Sequence, residues 1–464
     1  MSTPARSRAP CSTAAAPDVR NPDPVARSLD ARPACAQARL VGRCYRGFFC
    51  EPAMHIVDLT MFYAAEGGGV STYLNAKSAW LARQGRARHT ILSPNRDAAG
   101  GVATDVARAT HAASACLRLP SLALPGFHGY RMPLSVAAIA RRLRRLRPDL
   151  VEVGDAGHCA WAALRARDRL RIPVVAFYHS DLPRLVENRF GLHAAQLTRR
   201  YLAQLYGQFD LVLAPSRLMV GQLHAMGVHG ALHQPLGIDC TVFHPDRRDA
   251  AVRAELDVAP GACLLVYAGR FTADKKLDVL LAAMARLGPG YHLLMVGPGE
   301  AAFDIPKGAR ISRLPFQRDQ CALARLLASC DLLVHPGDCE TFGLIVLEAM
   351  GCGLPVVAAG AGGLAELVDD ATGVLARPNS PDSLAEAIRH AAARDLAALG
   401  ANARRKVESS FDWETVFDGL LMHYCKLLPQ DAAGCGKPDC AKPGCATQGH
   451  ALDEQSYAGA GSYQ

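Results

Sequence analysis

The chain is predicted to be an α/β protein built from two parallel-sheet domains, and three observations predict it. Its 464 residues leave room for two or three domains, and 50% of them are hydrophobic, enough to fill more than one core. From Met54 onward, short apolar runs alternate with amphipathic helical patterns, the sequence form of strand–helix–strand units whose sheet is covered by helices. The alternation runs through two series, separated near residues 235–245.

The elements follow in order. Residues 1–53 are rich in Ala, Arg and Pro without sustained periodicity; they are expected to be disordered, or to precede the true start at Met54. Asp18, Asp23 and Asp30 argue against a transit peptide, and no apolar stretch forms a secretory core. The first domain is expected over 54–235, with strands at 55–59, 90–92, 150–153, 174–177 and 211–214 and helices at 71–84, 136–146 and 194–206. The second is expected over 236–410, with strands at 264–268, 292–296, 332–334 and 355–358 and helices at 277–286, 322–328, 342–350 and 383–393. Trp413, Val416, Phe417, Leu420 and Leu421 then repeat at helical spacing, which predicts a last helix within 411–428. In the tail, 429–464, Cys435, Cys440 and Cys445 recur every five residues before His450. Without C-x2-C pairs, a disordered tail is preferred there to a zinc ligand set.

Composition narrows the function classes. No run reaches eighteen apolar residues, so no membrane-spanning helix is expected. The net charge of +8 is mild for this length and comes without a nucleic-acid motif, so no nucleic acid partner is expected. Of sixteen cysteines, the central ones lack repeated spacing and read as buried free thiols in a reducing cytosol. Arg141, Arg142, Arg144, Arg145 and Arg147 surround the stripe Ile139, Leu143 and Leu146. Such a helix either rests on an anionic membrane or buries its stripe and solvates its arginines.

Several strand-to-helix loops carry chemistry. After the 332–334 run comes Glu340-Thr-Phe-Gly-Leu-Ile-Val-Leu-Glu348-Ala-Met-Gly-Cys-Gly-Leu-Pro, with free N–H groups expected at Phe342, Gly343 and Leu344. The helix dipole adds positive charge there, and Gly343 permits close approach, so an anion such as a diphosphate is a natural guest. Glu66-Gly67-Gly68-Gly69-Val70 opens the first helix in the same way. Tyr267-Ala-Gly269-Arg270-Phe-Thr-Ala-Asp274-Lys275-Lys276 offers a planar cationic fork and compact point charges after the 264–268 strand. Tyr178-His179-Ser180-Asp181 follows the 174–177 strand, on the side where parallel sheets bind ligands.

The Glu340–Glu348 block closely resembles the E-x7-E signature of retaining family 4 glycosyltransferases of the GT-B fold (glycosyl transferases group 1), down to the trailing Glu-Ala-Met-Gly-Cys-Gly-Leu-Pro-Val-Val. The likeness covers about residues 54–428 and is stronger in the second domain. It implies two Rossmann-like domains facing each other across a cleft, with the 411–428 helix packing back on the first. It also implies transfer of a hexose from a nucleotide-sugar, of the GDP-mannose or UDP-glucose type, to a saccharide or glycolipid acceptor. Configuration would be retained, with no metal or other cofactor, in cell-envelope or polysaccharide synthesis. The expected setting is cytoplasmic, with peripheral contact at the inner membrane as a corollary of a lipid acceptor.

By the same resemblance Glu340 contacts sugar hydroxyls. Glu348, roughly 9–12 Å along the helix from its start, reaches the ribose. Arg270 and Lys275 hold the diphosphate, although Asp274 and Lys276 depart from the family's Glu-Lys-Gly and leave Lys276 as an alternative contact. Gly68, Gly69 and Gly269 line the phosphates, while Gly297 and Phe316 border the base. Gly68, His179 and Asp181 are acceptor-side candidates. The catalytic set is then Glu340, His179, Arg270 and Lys275. Where many relatives carry His-x-His-Glu, this chain has Glu152-Val-Gly154-Asp155. A nucleotide-sugar 2-epimerase of the same fold and a non-catalytic nucleotide-sugar-binding protein remain as alternatives.

Overall fold

Both sheets of the computed structural model, which describes residues 54–63, 68–95, 114–123, 131–299 and 305–428, consist entirely of parallel strands. The first contains β1 (Met54–Leu59), β2 (Ala87–Ser93) and β3 (Ser114–Arg118). A small antiparallel pair, β4 (Ser121–Ala123) and β5 (Arg131–Pro133), stands apart from it. It continues with β6 (Leu150–Val153), β7 (Val174–Phe177), β8 (Leu211–Ala214) and β9 (Ala231–His233), in the order β3-β2-β1-β6-β7-β8-β9. The second holds β10 (Cys263–Ala268), β11 (Tyr291–Val296), β12 (Arg310–Leu314), β13 (Leu332–His335), β14 (Val356–Ala359) and β15 (Gly373–Ala376). Its order is β12-β11-β10-β13-β14-β15. In each sheet the strand order reverses beside the first strand, and such switch points open a crevice at the strands' C-terminal ends.

The central strands β1, β6, β7, β13 and β14 are buried along their whole length, as expected for a sheet covered on both faces. The short strands β3, β9 and β15 escape sequence reading because they are only three to five residues long and partly exposed. The helices His158–Leu170, Arg217–Ala225 and Leu396–Ser410 are also additions: the first and last are Ala- and Arg-rich without a clean apolar stripe, and the second is only nine residues long.

Two starts differ from expectation. The helix expected at 194–206 begins at Leu182, where Asp181 accepts the Arg184 N–H and Pro183 occupies the first turn. The helix expected from 342 begins at Leu344, because Gly343 (φ 105) turns the chain from loop to helix.

Two crossings connect the domains and run side by side. The Ile238 N–H donates to the Phe411 carbonyl at 2.8 Å, and the Trp413 N–H donates to the Ile238 carbonyl at 3.1 Å. Helix Trp413–Leu427 then lies on helix Gly69–Gln84 of the first domain. Trp413 stacks on Phe417 at 4.7 Å, Phe417 meets Trp80 at 5.6 Å, and the Trp80 indole N–H donates to Glu414 at 2.7 Å.

Beneath this contact lies a buried polar cluster. Lys77 Nζ donates to Asp58 at 3.0 Å and to the Tyr424 hydroxyl at 2.8 Å, and stands 3.3 Å from Glu152. Tyr424 donates to Glu152, Tyr73 donates to the same carboxyl at 3.0 Å, and His89 bonds Asp58. Burial pushes the Glu152 carboxyl up to about 8 against the pull of Lys77. Asp58 is also opposed by burial, yet Lys77 and His89 hold it well below the usual range.

Helix Val136–Leu146 resolves its two sequence alternatives: Ile139, Leu143 and Leu146 are buried. The stripe is core; Arg141, Arg145 and Arg147 are exposed, while Arg142 and Arg144 are half-buried. Among the described residues no helix is long and apolar enough to cross a membrane. The expectations for 1–53 and for the cysteine tail fall outside the described residues.

Candidate active site

The loop after β13 is organised by a histidine. The Gly337 N–H donates to His335 Nδ1 at 3.3 Å, which leaves Nε2 as the donor toward Glu340 Oε1 at 3.2 Å. Lys275, at the end of the 3-10 turn Ala273–Lys275, donates its ammonium to the same carboxylate oxygen. Burial opposes charge on Glu340, but Lys275 and His335 outweigh it and hold the carboxyl well below the usual range. Glu340 is thus a fixed anion with Oε1 doubly bonded.

Glu348, on helix Leu344–Gly351, has the opposite environment. It is half-buried, its carboxyl has no partner among the described residues, and burial alone pushes it up to about 7. A group with hydroxyls to donate would remove that penalty. Arg270 is exposed and its guanidinium has no protein partner among the described residues, while the Tyr267 hydroxyl donates to its carbonyl at 3.0 Å and fixes the loop. Of the two expected phosphate-binding cations, one is held by Glu340 and the other stands open. Lys276 is the αL residue before helix Leu277–Leu287, near Asp338.

The remaining loops gather around this pair. The Gly297 N–H donates to the Leu314 carbonyl at 3.1 Å, and a Cβ on Gly297 would stand only 1.8 Å from the Gly269 carbonyl oxygen. The turns after β10, β11 and β12 are therefore in contact, with Phe316 exposed beside them. Phe342 is buried against Phe411, ring centroids 6.1 Å apart, so its side chain packs and only its backbone is offered to the crevice. Gly68 caps helix Gly69–Gln84, and a Cβ on Gly69 would lie 3.3 Å from Leu344 Cδ1. The glycine turn of one domain thereby faces the helix start of the other. Glu66 and Gly67 lie outside the described residues.

On the first domain, the His179 ring stacks on Phe177 at 4.2 Å and meets Tyr73 at 5.5 Å. Burial lowers its pKa to about 3, slightly offset by Asp58, so the imidazole is neutral at physiological pH. Asp181 is not its partner: it accepts the Arg184 N–H at 3.2 Å and the Tyr178 hydroxyl at 3.5 Å. Asp155, in place of the relatives' glutamate, accepts the Met61 and Gly157 N–H groups at 3.0 and 2.9 Å. Asp239 likewise caps its own turn through Thr241 and Val242.

Five polar contacts among the described residues cross the cleft. Thr341 donates its hydroxyl to the His179 carbonyl at 3.1 Å, and Ser216 donates to the Thr341 carbonyl at 2.8 Å. Glu366 accepts the Arg217 and Leu218 N–H groups at 2.9 and 2.7 Å. Arg184 lies 3.6 Å from Asp338. Besides His179, already a sequence candidate, only His335 left a usable signal, a histidine closing an apolar run five positions before Glu340. Ser216 lies 125 positions from its partner Thr341, and Glu366 lies 149 and 148 positions from Arg217 and Leu218, so nothing local announces either contact.

Comparison with known proteins gives concordant likenesses. Residues 262–394 match the family described as Glycosyl transferases group 1, and residues 67–242 match Glycosyltransferase Family 4. A GDP-mannose-dependent alpha-(1-6)-phosphatidylinositol dimannoside mannosyltransferase of Mycobacterium tuberculosis is 30% identical over 381 residues, 79% of this chain and 95% of that protein. A D-inositol 3-phosphate glycosyltransferase of Rhodococcus erythropolis is 29% identical, covering 83% of this chain and 93% of the relative. Among solved structures, Anabaena HepE in complex with UDP superposes with a TM-score of 0.64 at 23% identity, over 81% of this chain and 100% of that one.

Proposed function

This chain belongs to the group 1 glycosyltransferases of the GT-B fold, and on that premise we propose that it moves mannose from GDP-mannose to a hydroxyl of a glycolipid acceptor, with retention of configuration. The observation that carries the reading is the fixed Glu340 anion held by Lys275 and His335, beside the open guanidinium of Arg270. GDP-mannose is favoured over UDP-glucose because several relatives, the M. tuberculosis mannosyltransferase among them, are named for it. The glycolipid acceptor rests on that same relative's phosphatidylinositol dimannoside.

The donor lies along helix Leu344–Gly351. Its ribose hydroxyls donate to Glu348, and its diphosphate sits at the helix start between Gly68 and Gly69, Gly269 and Arg270, near the backbone of Phe342, Gly343 and Leu344. The base lies between the Gly297 turn and Phe316. Sugar hydroxyls donate to Glu340 Oε2, whose partner oxygen is occupied. As the bond from the anomeric carbon to the phosphate oxygen breaks, charge grows on the diphosphate, where Arg270 and Lys275 stabilise it. The acceptor hydroxyl attacks from the same face, and its proton passes to the departing phosphate oxygen. Glu340 acts as an electrostatic and hydrogen-bonding group, since an oxygen committed to Lys275 and His335 is a poor nucleophile. Neutral His179 positions a hydroxyl by hydrogen bonding, and the contacts around Thr341 and Glu366 keep water out.

The test is incubation of the full chain with GDP-mannose or UDP-glucose, with and without a mannosylated phosphatidylinositol acceptor. Acceptor-dependent GDP release and an α-linked product are expected. Epimer formation from donor alone, or GDP release indifferent to acceptor, would defeat the transferase reading; a β-linked product would defeat retention.

A further inference from the structure

Helix Leu182–Tyr206 contains one residue with non-helical backbone, Gly191, at φ 81 and ψ 178. No heavy atom lies within 4 Å of where its Cβ would be, so the glycine serves the backbone bend and not a tight contact. The bend exposes residues 188–193 in unbroken succession. A helix of a folded domain normally keeps an apolar face inward. Here the exposed elbow is itself apolar: Phe190 and Leu192 flank Gly191 at 68% and 61% exposure, with Leu185 and Leu197 at 55% and 65% on the two arms.

The charge around it has one dominant sign. Residues 182–200 hold Arg184, Arg189, Arg199 and Arg200 against Glu187, which Arg199 contacts at 3.2 Å. The Arg189 guanidinium lies 5.8 Å from the centroid of the Phe190 ring, so a cation and an aromatic side chain occupy the same tip. An anionic bilayer complements such a surface, taking apolar side chains at its acyl boundary and arginines at its phosphates. Position supports the same partner. The helix is capped by Asp181, two residues from His179, and Arg184 approaches Asp338 across the cleft. The more arginine-rich helix Val136–Leu146 has no apolar stripe left to insert.

We infer that the elbow at Gly191 is the surface by which the protein rests on an anionic membrane, with Phe190 and Leu192 entering the headgroup boundary beside the cleft. The inference rests on the glycolipid-acceptor reading, because a lipid-held acceptor is reached without leaving the bilayer only from a docking surface next to the site.

Co-flotation of the full chain with phosphatidylcholine vesicles, and with phosphatidylcholine–phosphatidylglycerol vesicles, tests it. Binding to the anionic vesicles that weakens with salt is expected. Phe190→Ala combined with Leu192→Ala lowers the partition coefficient about tenfold. Arg144→Glu with Arg145→Glu, on the other helix, changes it far less. Turnover of GDP-mannose on a water-soluble mannoside reports the active site separately and is unchanged in the Phe190/Leu192 variant. Equal vesicle binding by that variant and the wild type overturns the inference, as does no binding by either. A wild-type dimer that becomes a monomer in the variant by sedimentation assigns the elbow to a second copy and also overturns it. Elbow-dependent binding without turnover on any acceptor leaves the docking surface standing and removes the transferase reading.

Discussion

Thr341 donates its hydroxyl to the backbone carbonyl of His179 at 3.1 Å, so the residue next to Glu340 in the second domain is bonded directly to the histidine loop of the first. The loops that carry Glu340 and His179 are therefore tied by one contact. Thr341→Val preserves shape and removes that donor. Transfer is expected to fall while donor hydrolysis rises relative to it, as measured by the ratio of GDP released to product formed.

Lys275 and Glu340 form the central pair of the candidate site. Lys275→Met is expected to reduce kcat by about 10²–10³-fold, the scale for losing one charge-stabilising group. The linkage sign is definite. The depressed Glu340 carboxyl contributes stability above its unfolded value of 4.5, and this is lost as pH falls below it. Removing Lys275 raises that carboxyl, so acid unfolding begins at higher pH in the variant. Thermal melts across the acid range check this.

Glu348 predicts the opposite sign. Its carboxyl is raised from 4.5 to about 7, so the folded apo protein binds a proton that the unfolded chain has released. Stability of the free protein should decline as pH rises between these values, and Glu348→Gln should flatten the decline. Donor binding calls on the ionised form, so the KM for the nucleotide-sugar should fall as pH rises through about 7 in the wild type only. Titration calorimetry at several pH values would expose a pH-independent affinity, which would sink the ribose assignment.

Glu366 caps the start of helix Arg217–Ala225 from the other domain. Glu366→Ala should raise the donor KM several-fold and leave the melting temperature within a few degrees, since both cap bonds are exposed and cross the cleft. Small-angle scattering should show a larger radius of gyration for the variant.

Lys77 is the only cation bonded to the buried Asp58 and Glu152 among the described residues. Lys77→Met leaves Asp58 without its cation and should cost about 3–5 kcal/mol. Urea denaturation measures this. Tyr424→Phe, which removes one hydroxyl from the same cluster, should cost roughly 1–3 kcal/mol and loosen helix Trp413–Leu427.

Local sequence determined a good deal. The central strands were legible because each is a short apolar run bounded by polar turns, as at 150–153 and 174–177. The Glu340–Glu348 block was legible because a strand, a glycine-bearing loop and a helix start are all local features, and the family signature lies within them. Tertiary structure alone decided which charges meet: that Lys275 and His335 share one oxygen of Glu340, that Asp181 caps a helix instead of supporting His179, and that Ser216 and Glu366 close the cleft. It also buried the apolar stripe of the 136–146 helix and exposed the Gly191 elbow. Backbone preference and hydrophobic period act over a few residues and can be read in order. Ion pairing, desolvation and burial depend on distances between segments that the chain brings together only once both sheets have formed.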